Sequence, residues 1–131
     1  MYYAVILNSL ANEKEKDYIV LKADSLLKVK EEAKEYLFEF IENTPSIWEI
    51  LEKAIKEECE DVGIRYESGD LEEDAIRNII YEEDGYYDLF ELNSDKIHSI
   101  NIDELSSLFK YSTKEFLKTY AIYICSTYPG D

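Results

Sequence analysis

The sequence predicts an α+β domain: a small antiparallel sheet of two hairpins covered by about four helices, in the order ββαααββα(α). Three observations carry that expectation. Short apolar runs near the N-terminus read as strands, the segments after them repeat apolar residues at helical spacing, and only 4 Gly and 2 Pro interrupt the 131 residues. A chain of this length is expected to form a single acidic domain over residues 1–131 with one core. Its 46% hydrophobic content argues against disorder despite the charge.

The elements follow in chain order. Tyr2 to Leu7 is apolar on both alternating faces, with Tyr3, Val5 and Leu7 on one and Tyr2, Ala4 and Ile6 on the other. Such a strand is central and covered on part of each face. Asn8 to Lys16 is a polar turn, and Tyr18 to Ala23 completes an antiparallel hairpin. Asp24 or Ser25 then caps a helix running to about Glu42. Its stripe is Leu26, Val29, Ala33, Tyr36, Leu37, Phe40 and Ile41; Glu31, Glu32, Glu35, Glu39 and Glu42 lie opposite. Thr44-Pro45 opens the next helix, with Ser46 and Glu49 as an alternative capping box. Ile47, Leu51, Ala54, Ile55 and Val62 form its stripe, and Gly63 stops it.

Ile64 to Gly69 reads as a connection or short strand, and Asp70 with Glu73 starts a third helix carrying Leu71, Ala75, Ile76, Ile79 and Ile80. Glu82 to Gly85 turns the chain. Tyr86 to Leu92 and Ile97 to Ile102 form a second hairpin around Asn93 to Lys96, and the merged sheet is expected to carry its helices on one face. Asp103 to Lys110 is a short helix or irregular turn. Ser112 and Glu115 cap a last helix through Phe116, Leu117, Tyr120, Ala121 and Ile124, and Ser126 to Asp131 is a tail.

Signatures of catalysis are weak. The only histidine, His98, falls on the strand face of Ile100 and Ile102, where a structural role is expected over a general base. Cys59 and Cys125 have no close spacing and read as small buried hydrophobes in a reducing compartment. Thirty carboxylates make any acidic pair uninformative. The run Glu82 to Asp88 places hard oxygen ligands around a glycine but lacks the EF-hand order, so no metal and no cofactor is expected. No glycine belongs to a phosphate-binding motif. The apolar N-terminus lacks a basic leader and is too short to span a bilayer, which predicts a cytoplasmic protein without membrane contact.

Charge is the informative feature. Residues 31–91 hold 21 acids and 5 bases, so the whole net charge of −16 falls in that stretch while the flanks cancel. Segregated charge costs stability and projects a field that a basic partner meets before contact. Direct nucleic-acid binding is disfavoured, since phosphates would be repelled and no counterions released. The expected function is therefore that of a non-enzymatic inhibitor occupying the basic nucleic-acid-binding surface of a partner, such as a nuclease or CRISPR effector. Anti-CRISPR, anti-restriction and nuclease-immunity proteins are analogous in charge and size only. The Lys-, Glu-, Ile- and Tyr-rich, Arg-poor composition fits an AT-rich bacterial or phage genome.

Tyrosine, twelve in number, offers contact area at low entropic cost. The leading surface is expected from Glu67, Asp70, Glu72, Glu73, Asp74, Tyr81, Glu82, Glu83, Asp84, Tyr86, Tyr87 and Asp88. Glu31, Glu35 and Glu39, about 6 Å apart along a helix, support it, whereas Tyr36 is expected in the core. The alternative is an acidic adaptor, oligomeric through tyrosines and apolar strand edges, whose charge serves solubility. A small hydrolase or metal-dependent enzyme built on His98 or the Glu82 to Asp88 loop is a remote third.

Overall fold

The computed structural model describes residues 1–61, 63 and 85–127. Across them the chain is α+β, with a four-stranded antiparallel sheet ordered β2-β1-β3-β4. The doubly apolar N-terminal run is β1 (Tyr2–Asn8), and it is central, as its pattern requires. It pairs with β2 (Lys16–Lys22) on one side and β3 (Tyr86–Leu92) on the other, so that Val5 stands opposite both Ile19 and Leu89. Five helices are described: α1 (Leu26–Asn43), α2 (Pro45–Asp61), α3 (Ser94–Ile97), α4 (Ile102–Tyr111) and α5 (Thr113–Tyr120). β4 (Ala121–Thr127) closes the sheet beside β3.

Helices cover both faces, not one. On the first face Tyr3, Val5, Leu7, Leu21, Tyr87 and Leu89 pack under Val29, Ala33, Leu37, Phe38 and Ile41 of α1 and Ile47 and Leu51 of α2. On the second, Ala4, Val20 and Leu92 pack under Ile97 of α3, Leu105 and Phe109 of α4, and Phe116 of α5. An aromatic chain runs through that second core. Tyr18 meets Phe109 edge-on at 5.4 Å, Phe109 meets Phe116 at 5.1 Å, and Phe116 meets Tyr120 at 5.4 Å.

The second hairpin is half right. Tyr86 to Leu92 is a strand, but Ile97 to Ile102 is not. The Asn93 side chain accepts the Asp95 N–H and starts α3, and the Asn101 side chain accepts the Glu104 N–H at 2.9 Å and starts α4. Asn at those two positions offers a cap where a hairpin needs a primed turn. The last helix also stops early, at Tyr120, and the residues assigned to its end and to a tail form β4. Ile122, Tyr123 and Ile124 are β-branched or aromatic, and β3 presents an open edge to receive them. Opposite Leu89 and Phe90 the ladder slips by one residue, and both Ile124 and Cys125 pack against the first core.

Helix boundaries otherwise follow local chemistry. The Ser25 side chain accepts the Lys28 N–H at 3.2 Å and caps α1. Thr44 closes α1 and Pro45 opens α2, so the two helices share a one-residue joint. The alternative capping box fails, because Ser46 Oγ is buried with no partner among the described residues. Gly63, at φ +76°, donates to Glu60 O at 3.1 Å just past α2, a left-handed stop that a side chain would strain. At the other cap expected from Ser112, the hydroxyl makes no cap hydrogen bond. The third helix assigned to Asp70 through Ile80, the Ile64 to Gly69 connection, and the turn over Glu82 to Asp84 lie outside the described residues.

Candidate functional site

The acids of α1 and α2 share one layer of the fold. Residues 26–61, which cover the first face, carry eleven acids and five bases, a net −6. Residues 94–120, which cover the second, carry four of each and balance. Among the described helices, charge is thus divided unequally between the two faces of the sheet. Helical spacing puts Val29, Ala33, Leu37 and Ile41 against the sheet, leaving Glu31, Glu35, Glu39 and Glu42 exposed on the outside. On α2 the exposed positions mix Glu49, Glu57 and Glu60 with Lys53 and Lys56, so the unbroken row belongs to α1.

α1 is rolled relative to its expected orientation. Phe38, absent from the expected stripe, is fully buried, whereas Tyr36 is 42% exposed and is not core. Leu26 is likewise exposed, and Phe40 is half-buried at the margin. Aromatic residues flank both edges of the stripe, and sequence periodicity cannot say which edge rolls inward. In the fold Phe38 joins the same buried cluster as Ile47 and Leu51 of α2. The roll sets Tyr36 and Phe40 beside Glu39 along a cleft of about 240 Å³, lined among the described residues also by Asp17 of β2, Asn43, Thr44 and Leu7. Asp17 pairs with Leu7 across the ladder and so shares the first face.

Of the stretch expected to lead the contact, Glu67, Asp70, Glu72, Glu73, Asp74, Tyr81, Glu82, Glu83 and Asp84 lie outside the described residues. Tyr87 is 3% exposed and belongs to the first core, which removes it from any contact surface. Tyr86 and Asp88 are half-buried on the opposite face from Tyr87. Asp88 belongs to a polar network that crosses all four strands. Lys16 Nζ donates to Asn8 Oδ1 at 2.5 Å, Asn8 Nδ2 donates to Asp88 Oδ2 at 3.1 Å, and the Ser126 hydroxyl donates to Asp88. Tyr123 and Ser126 hydroxyls meet at 2.8 Å. Asn8 is 1% exposed and also donates to Ile6 O, so burial is matched by bonding. The network ties the four strands together at one end of the sheet; the sequence hid it, because its members lie in four different elements.

His98 stands at the end of α3, not on a strand, and its Nδ1 lies 2.9 Å from Asp95 O. Its side chain is exposed, and among the described residues no nucleophile is a hydrogen-bond partner. Cys125 is half-buried against the first core, in keeping with a hydrophobic role. Among the described residues no group of three His, Cys, Asp or Glu could hold a metal ion, and no helix is long and apolar enough to cross a membrane. Comparisons with protein-family models, with curated proteins and with solved structures find no match.

Proposed function

We propose that this protein is a non-enzymatic inhibitor that presents its acidic helical layer to the basic nucleic-acid-binding surface of a partner protein. The observation that carries the reading is the inequality of the described helices of the two layers: −6 over the first face against zero over the second. Solubility requires net charge but no such sidedness. The row Glu31, Glu35, Glu39 is also costly to keep, since like charges four apart destabilise a helix by about 0.2–0.5 kcal/mol per pair. A regular line of negative charge on a rigid helix offers a basic groove what a phosphate backbone offers it. Its field would speed encounter, and the tyrosines and apolar side chains at the contact would set the lifetime.

The test is affinity capture from host extract at low and high salt, followed by competition with DNA or RNA. The reading expects a nucleic-acid-binding partner that high salt releases and nucleic acid displaces. A partner retained at high salt and indifferent to nucleic acid would end it. Reversing Glu72, Glu73, Glu82 and Glu83 extends the same test to the acids between the described segments.

A further inference from the structure

We infer that the cleft between α1 and β2 receives an arginine side chain of the basic partner; the inference rests on the acidic-layer reading above and locates its anchor. The cleft combines three features that suit a guanidinium. Carboxylates come from two elements, Asp17 from the sheet and Glu39 from the helix above it. Two aromatic residues line it, Tyr36 exposed and Phe40 half-buried, and an aromatic ring beside carboxylates is the pairing that suits a flat cation. Asn43 adds an amide acceptor.

The volume, about 240 Å³, falls below the roughly 300–1,000 Å³ typical of small-molecule pockets and suits a single long side chain. Among the described residues, neighbouring charge leaves the site acidic. Lys16, adjacent to Asp17 in sequence, points to the opposite face and is held there by Asn8. Among the described residues Glu39 has no hydrogen-bond or ion-pair partner, and the Asp17 carboxylate accepts only the N–H of Tyr18, at 2.9 Å. Bidentate pairing and ring stacking both favour arginine over lysine, whose ammonium is a point charge without a face. Glu39 stands where the outer acidic row meets the cleft, so an arginine steered by the row would be delivered to it.

The experiment compares an oligoarginine and an oligolysine peptide of equal length binding to the full chain, followed by the Tyr36 and Glu39 resonances or by titration calorimetry. Charge alone attracts both peptides equally. The cleft adds a preference for arginine of at least about threefold, the scale of one exposed cation–π contact. That preference is expected to vanish in Tyr36→Ala and in Asp17→Asn and to persist in Tyr36→Phe, which keeps the ring. Tyr36 and Asp17 are outside the core, and an unchanged thermal midpoint verifies each variant. Equal binding of the two peptides, or an arginine preference that survives Tyr36→Ala and Asp17→Asn, overturns the cleft while leaving the acidic layer standing. Failure of both peptides to bind overturns the cleft and the acidic-layer reading together.

Discussion

The layer of α1 and α2 packs Leu37, Phe38 and Ile41 onto one face of the sheet, and the layer of α3 to α5 packs Leu105, Phe109 and Phe116 onto the other. Inside, both are fully buried apolar seams that meet the same central strand through its alternating side chains. Outside, one carries an acidic surplus and the other an even balance of lysines and acids. Folding explains the insides, since any helix covering a sheet must bury a stripe. It does not explain why, among the described helices, the surplus falls on the first layer. The comparison therefore separates what the fold requires from what a partner would require.

The largest expected effects test the claim that both layers are equally structural. Phe38→Ala and Phe109→Ala should each cost about 3–5 kcal/mol, measured by urea denaturation, because each leaves a cavity in a fully buried seam. A cost below about 1 kcal/mol at either site would mean that its layer is peripheral to the folded unit. Next comes the polar network on the second face. Asn8→Ala should cost about 1–3 kcal/mol by removing the link between Lys16 and Asp88 and leaving buried acceptors unpaired. At the helix ends of the acidic layer, Ser25→Ala should lose about 1 kcal/mol with the cap of α1. Ser46→Ala should leave stability unchanged or raised, since its buried hydroxyl has no partner among the described residues. The smallest effect is electrostatic: Glu39→Gln should gain about 0.2–0.5 kcal/mol in low salt by relieving the row, a gain that added salt should erase.

Much of the first half of the chain was legible because local signals there agree with one another. Doubly apolar β1, the Ser25 cap, the Thr44-Pro45 joint and the Gly63 stop each have a local cause and each appears in the fold. The second half was misread where tertiary demand outweighs local pattern. Ile97 to Ile102 reads like a strand but is interrupted by an asparagine cap, and Ala121 and Ile124 continue a helical stripe yet belong to β4, on the open edge of β3. Two-sided coverage was present in the pattern of β1 itself, while a one-sided sheet was expected from the element order. On the candidate surface the α1 acids were legible from periodicity. Tyr36 and its cleft were not, because which edge of an amphipathic stripe rolls inward depends on the neighbouring helix and strand. Tyr87 reversed in the same manner: adjacent tyrosines on a strand face opposite ways, and the ladder decides which is buried.

The central claim is that the acidic layer, and not charge in general, makes the contact. Its most direct measurement sets two triple variants against the captured partner at low salt: Glu31→Lys, Glu35→Lys, Glu39→Lys on the first face, and Lys110→Glu, Lys114→Glu, Lys118→Glu on the second, all at exposed positions. The account predicts that the first set weakens binding by about 10- to 100-fold, and that the second leaves it within about threefold. Equal losses from the two sets, or a larger loss from the second, would contradict it.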